Sequence, residues 1–450
     1  MRILIFHGYL LRGTGSNIYN LELARALGAL GHEVHLLCQD RDPPDIPGAT
    51  VHNPDIGNVL PVYVQDDYEG FEARPFSALT DAELDFYVEA NVAAVREVVD
   101  SVAPDLALAN HAVMGPAILA RGLGGEVPYA AKIHGSALEY VVRPDPGRFG
   151  PWAREGLRGA SGILVGSAHT AEALWEVLGE EFRAKTVLGP PGVDEEAFRP
   201  DARGLPALAG RLEGVTGAFG GDAGAAQVIA ALDPAEQRIV SYVGKLIVSK
   251  GVDLLVAAWP LVARAVPDAR LVVVGFGGYR EACEELARAA TAGDVAGMRA
   301  VAARGREPEG GPPGSLSFLE AFLDVVPEGY GGGQIDFTGR LEHSDLPPLL
   351  AASEAQVVPS TFPEAFGMVA AEAAACGALP VCARHSGLAE VSAALEPALP
   401  PERRHLLSFD RGPEAVWQIA ARLVEWLRMP VAEREQDSGA LAALARERYG

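Results

Sequence analysis

Cysteine is scarce in this 450-residue chain: there are four, Cys38, Cys283, Cys376 and Cys382. They form neither a metal-ligand spacing nor a dense disulfide framework, which suits a reduced cytoplasm. Positive charge is also short. Lys and Arg number 37 against 60 Asp and Glu, a net charge of −23. That argues against nucleic acid as a partner and against wide contact with anionic lipid. A local basic patch and peripheral membrane contact stay compatible with it. No uncharged apolar run reaches the ~18 residues a membrane-spanning helix needs. The apolar start, Ile3-Leu4-Ile5-Phe6, is too short for a signal peptide and reads as a first strand. The 49% hydrophobic and 22% charged content is that of a soluble globular protein. The length is too great for one core, so two domains are expected.

The most informative stretch runs from Ala355 to Glu372. Ala355 to Val358 is a short apolar run that suits a buried strand. Pro359 to Pro363 continues neither strand nor helix. An alanine-rich segment from Met368 to Cys376 then reads as a helix stopped by Gly377. Two carboxylates are eight positions apart: Glu364 in the loop, Glu372 about two turns into the helix. A helix start offers unpaired N–H groups and a positive dipole end to an anion. Carboxylates accept hydrogen bonds from sugar and ribose hydroxyls. A sugar diphosphate therefore fits; a solvated Glu372 and a capping Glu364 form the bland alternative.

This string, strand–PS-x-x-E-x-F-G–helix–E-A-x-A-x-G-x-P-V, resembles the glutamate–seven residues–glutamate motif of retaining GT-B glycosyltransferases of the family 4 type. The resemblance covers nearly the whole chain. It implies an α/β fold with two facing Rossmann-like domains, each on a parallel sheet, and a cleft between them. The expected domains are 1–192, on the acceptor side, and 193–450, which binds a nucleotide sugar. Two insert-like regions, about 201–236 and 279–333, depart from the pattern; the second is expected to contain helical parts.

In the first half, strand Arg2 to His7 leads through Gly13 and Gly15 to a helix, Ile18 to Leu30, and strand Glu33 to Cys38. This is a β–loop–helix–β unit. Ile18 stands where a dinucleotide fingerprint has its third glycine, although Asp40 ends the next strand where a ribose-binding acid sits. The resemblance implies that Gly13 and Gly15 line the cleft and touch the donor phosphate or the acceptor; a tight turn with no ligand is the alternative. Asp40 to Asp81 is rich in Pro, Gly, Asp and Tyr and is expected to be irregular. A helix, Asp81 to Val102, follows. Strands Asp105 to Ala109, Tyr129 to Ile133 and Gly162 to Val165 then end on polar residues, the edge where open α/β sheets bind ligands. His111 is either an acceptor contact or a packed core histidine. His134, in Lys132-Ile133-His134-Gly135-Ser136, resembles the family segment whose histidine reaches the donor sugar. Glu139 to Arg148 reads as a loop of mixed charge.

Gly189-Pro190-Pro191-Gly192-Val193-Asp194 resembles the family's turn into the second domain. Strand Ile239 to Val243 is followed by Lys245 and Lys250, two cations ahead of a helix that would neutralise a departing nucleotide diphosphate. The family pattern has Arg where Lys245 stands, and lysine lacks the planar fork. A solvated face is the alternative for both. Strand Arg270 to Val274 runs into a glycine turn, where the resemblance places Gly275 on the donor. Strand Ile335 to Thr338 leads to a loop with Arg340 and Leu341 that the resemblance places beside the base, Arg340 being read as stacking, contacting phosphate or simply exposed, and a helix, Ser344 to Ser353, follows. Phe366, Gly367, Met368 and Glu372 complete the implied donor set. His134, Lys245, Lys250 and Glu364 are the implied catalytic residues.

The resemblance implies transfer of a sugar from a UDP- or GDP-linked donor to a hydroxyl acceptor, whether carbohydrate, small molecule or lipid-linked. Retention at the anomeric carbon, without metal or other cofactor, is expected. No Asp-x-Asp pair stands at a strand end. A phosphorylase or trehalose-synthase-like transferase, and an inactive nucleotide-sugar-binding protein, are the alternatives. The resemblance implies a terminal helix that crosses back to the first domain; it is expected to be short or missing here, as in a truncated chain.

Overall fold

The computed structural model describes residues 1–64, 70–214 and 221–450. Residues 65–69 and 215–220 belong to the segment expected to be irregular and to the first insert-like region; what the sequence implies for them lies outside the described residues. The chain forms two compact units, Met1–Pro191 and Gly192–Gly450.

The N-terminal unit is built on β1 (Arg2–Phe6), β2 (Glu33–Leu37), β3 (Ala49–His52), β4 (Val59–Val62), β5 (Glu72–Pro75), β6 (Leu106–Asn110), β7 (Tyr129–Ile133), β8 (Gly162–Val165) and β9 (Thr186–Leu188). Seven of these make one parallel sheet in the order β3-β2-β1-β6-β7-β8-β9, and β4 and β5 pair separately. The central strands are apolar on both faces because helices cover both. The strand order reverses between β1 and β6, with Phe6 opposite Ala109. At such a reversal the loops leaving two neighbouring strands diverge and open a crevice.

The C-terminal unit repeats the plan with β10 (Arg238–Val243), β11 (Ala269–Val274), β12 (Gln334–Gly339), β13 (Ala355–Val358), β14 (Leu379–Ala383) and β15 (Ser408–Phe409). Their order is β12-β11-β10-β13-β14-β15, all parallel. Here the reversal lies between β10 and β13. It brings the Lys245–Lys250 loop beside the loop that carries Glu364.

Several sequence expectations are corrected. Among its described residues the stretch 40–81 holds three short strands; four residues each, with prolines among them, leave too little periodicity to read. The expected loop Glu139 to Arg148 is largely helical, a turn at Leu138–Val142 followed by the helix Pro146–Gly159 capped by Asp145. The first helix starts at Gly15, three residues earlier than expected. The helix expected at Ser344 to Ser353 is a 3-10 turn, His343–Asp345, and a shorter helix, Leu346–Ala351. The region 279–333 has the helical parts expected of it, Arg280–Ala292, Val295–Arg304 and Ser317–Leu323. The chain ends in a helix, Val431–Tyr449, which runs for 19 residues, packs against the helix Met368–Ala375 of its own unit and buries Arg434, Asp437, Leu441, Ala445 and Tyr449. Those positions recur every three or four residues, a single face hidden in an otherwise polar sequence. Arg434 is buried because it forks onto Glu354 at 2.8 and 2.9 Å. No helix among the described residues is long and apolar enough to cross a membrane.

Candidate active site

At the reversal point of the C-terminal unit, the chain after β10 forms a 3-10 turn, Val248–Lys250, and enters the helix Val252–Ala265 through Gly251. Gly251 has φ 66°, and a Cβ there would lie 2.1 Å from the carbonyl oxygen of Pro359. Only glycine permits both the left-handed turn and that approach. The contact locks this loop to the one after β13, where Thr361 N–H donates to Ser249 O at 2.9 Å. Lys250 Nζ consequently donates to Glu364 Oε1, and Ser360 Oγ donates to the same oxygen at 2.5 Å. The Glu364 backbone is clamped as well. Its N–H donates to Ser386 Oγ at 2.9 Å, and its carbonyl accepts from Gly387 N–H at 2.9 Å. Lys250 and Glu364 keep 31% and 21% of their side-chain surface exposed, so the pair faces solvent rather than the core.

Gly251→Val tests this lock. The β-branched side chain must take φ 66° and displace the backbone of Pro359, at a cost of about 3 kcal/mol. The Tm of the C-terminal unit is expected to fall by roughly 6–12 °C, read by calorimetry. An unchanged Tm would mean that the two loops are not held together at this point.

The helix Met368–Ala375 starts at Gly367 and carries Glu372 in its second turn. Glu372 is 3% exposed. Its Oε1 lies 2.9 Å from His343 Nε2, and the His343 ring packs against Phe198 at 5.0 Å. No sequence signal singled out His343, which stands 29 positions away. Leu341 and Phe366, both expected on the donor, are buried in the hydrophobic core. Their side chains are therefore packing, and what they offer a ligand is backbone. Met368 also packs against that core. Arg340 places its guanidinium carbon 4.2 Å from the centre of the Phe276 ring, and Lys245 Nζ is 5.8 Å from the same ring. The first insert-like region reaches this corner. Gly221 and Asp222 N–H donate to Arg340 O and Thr338 O at 2.9 and 2.8 Å, and Arg280 holds the Asp222 carboxylate.

In the N-terminal unit, the strand ends assemble a different constellation. His7 is buried. Its Nε2 lies 3.0 Å from both Asn17 Oδ1 and Leu10 O, and its Nδ1 is 3.0 Å from Asn20 Nδ2. Asn110 links Asn20, by Nδ2 to Oδ1 at 2.8 Å, to His134, whose Nε2 is 2.7 Å from Asn110 Oδ1. His111 is 1% exposed and takes φ 68°. Its ring lies 4.5 Å from Tyr63 and 4.8 Å from His134, and neither ring nitrogen has a hydrogen-bond partner. The packed alternative thus describes its position. Burial lowers the pKa of His7 to about 4 and holds His111 and His134 well below the usual imidazole value. Neighbouring His7, His111 and Lys132 push His134 down further. Asn17 and Asn20 share one helix face, three positions apart. Two poor helix formers at that spacing were a readable sign of side chains with polar work to do.

Gly13 (φ 89°) sits in the loop before the first helix, and Gly15 opens that helix with nothing near its missing Cβ. Asp40 is not available to a ribose. Its Oδ2 accepts from Leu11 N–H at 3.1 Å and its Oδ1 from Asp42 N–H at 3.2 Å. Gly275 follows β11, and a Cβ there would lie 1.9 Å from Gly244 O, which pins the glycine turn against the Lys245 loop.

Three family models match the chain. A glycosyl transferase 4-like domain matches residues 14–192, and two models described as glycosyl transferases group 1 match residues 237–305 and 330–400. Among curated proteins, D-inositol 3-phosphate glycosyltransferase of Segniliparus rotundus is 31% identical over 219 residues, 48% of this chain and 36% of that protein. The Mycobacterium bovis protein of the same name is 27% identical over 199 residues, 44% and 29% of the respective chains. The chain thus spans about a third of the length of these relatives. Among solved structures, Anabaena HepE in complex with UDP and glucose superposes with a TM-score of 0.62 at 17% identity, covering 100% of this chain and 95% of that one. Sucrose-phosphate synthase from Thermosynechococcus elongatus gives 0.60 at 19% identity, with the same coverage.

Proposed function

We propose that this chain, which belongs to the family 4 type of GT-B glycosyltransferases, transfers a sugar from a UDP- or GDP-linked donor to a hydroxyl acceptor with retention. The observation that carries the reading is the Lys250–Glu364 pair at the reversal point of the C-terminal sheet, with Glu372 eight positions on. Lys250 and Lys245 neutralise the diphosphate, aided by the first amides of the helix that starts after Gly367, which lack intrahelical acceptors. Ser360 and Lys250 fix Glu364 Oε1, leaving Oε2 to a sugar hydroxyl. Glu372, oriented by His343, takes the ribose. The bond from the anomeric carbon to the phosphate breaks and the bond to the acceptor oxygen forms on the same face. The acceptor proton passes to the departing phosphate, and the cations stabilise the charge that develops there. No metal is assigned a role. UDP in a structural neighbour and inositol phosphate in the name of the curated relatives make UDP-sugars and D-inositol 3-phosphate the first donor and acceptor to try.

The test is a thermal-shift and slow-hydrolysis screen of UDP-, GDP- and ADP-sugars, with and without divalent metal, on wild type and Glu372→Ala. One base stabilising wild type but not the variant supports the reading. No shift with any donor overturns it. His343→Ala is expected to weaken binding of that donor by about fivefold to tenfold, since a hydrogen bond to a buried carboxylate is lost. Titration calorimetry reads this, and an unchanged Kd would mean that Glu372 needs no partner.

A further inference from the structure

We propose that the Phe276 ring is a platform that sets two cations, Lys245 and Arg340, onto the donor diphosphate, with Arg340 supplying the guanidinium fork that Lys245 lacks. The inference rests on the donor-site reading above and adds two roles to it: a positioning role for Phe276 and a phosphate role for the Arg340 side chain.

Three adjacent parallel strands, β10, β11 and β12, end side by side, and their following loops are knit together. Leu246 N–H donates to Phe276 O at 2.6 Å and Gly275 N–H to Gly339 O at 2.9 Å. Phe276 stands in the middle loop, with Lys245 in one neighbouring loop and Arg340 in the other. It is partly exposed and lies outside the hydrophobic core to which Val274 and Tyr279 belong. Its ring instead meets the two cations, at 4.2 Å for Arg340 and 5.8 Å for Lys245. Both distances fall within the ~6 Å range in which an aromatic face attracts a cation. Lysine offers a diphosphate a point charge, whereas arginine offers two parallel N–H donors. A ring that holds one of each supplies both.

Titration calorimetry with UDP, GDP and ADP, and with UMP, GMP and AMP, separates this role from base stacking. Wild type, Phe276→Leu, Phe276→Tyr, Arg340→Ala and Arg340→Lys are compared using the base that binds wild type. Phe276→Leu keeps the bulk and removes the π face. In Phe276→Leu and Arg340→Ala, the affinity advantage of diphosphate over monophosphate is expected to shrink about tenfold. Phe276→Tyr should retain that advantage, and Arg340→Lys should recover only part of it. An unchanged advantage in Phe276→Leu or Arg340→Ala overturns the proposal. So does an equal loss for mono- and diphosphate, which would place the base on the ring. If wild type binds none of the diphosphates, the donor-site reading fails and takes this inference with it.

Discussion

If the proposed function holds, Lys250→Ala is expected to lower kcat by roughly 10²–10³-fold, the usual consequence of removing one donor aimed at developing charge. The donor Kd rises much less. On that reading Lys245 and the helix start would still attract the ground-state diphosphate, whereas the charge on the bridging oxygen would grow only as the sugar leaves. The substitution also frees Glu364 Oε1 from one of its two partners, because Lys250 Nζ and Ser360 Oγ both donate to it. Lys250→Arg restores charge but not the compact reach, and recovers part of the rate. Steady-state kinetics with donor Kd from calorimetry make the check. A fall in affinity with kcat unchanged would make Lys250 a uniform binding group and remove it from the chemical step.

As pH falls from 6.5 to about 4 the N-terminal unit is expected to lose stability steeply. His7 has a folded pKa of about 4 against an ordinary 6.5. Within that window the unfolded chain binds a proton that the folded one excludes. Stability therefore rises with pH there, is fully present above 6.5, and levels off below about 4. The slope is about 1.4 kcal/mol per pH unit for each such histidine, so His7 alone accounts for about 3 kcal/mol. His111 and His134 are shifted in the same direction by the same burial, which steepens the loss. In the C-terminal unit, burial raises Asp253 to about 7. That group contributes in the opposite sense: its contribution is full below about 3.8 and declines as pH rises toward 7. Acid should therefore unfold the N-terminal unit first. His111→Asn, a residue that tolerates φ 68° and does not titrate, should flatten the Tm profile of that unit between pH 6 and 5 by about one proton. A profile as steep as wild type would exclude the buried cluster as its origin.

What the sequence by itself determined was local. The apolar run Ala355–Val358, the prolines after it, the helix from Met368 and the stop at Gly377 all appear where the residues imply them. Each depends on backbone preferences of neighbours in sequence. The alternation of strand and helix likewise carried the parallel α/β class. The tertiary structure decided which distant groups meet. Lys250 and Glu364 are 114 positions apart, and they touch because β10 and β13 are neighbours in a sheet whose order no local pattern encodes. The His343–Glu372 pair, the Asn20–Asn110–His134 chain and the cations on Phe276 have the same cause. So does the fate of His111, which sequence left open between ligand contact and core. Its burial follows from how Tyr63 and His134 pack around it. Spacing along a chain sets which face a side chain takes; only the packed sheet sets what stands opposite.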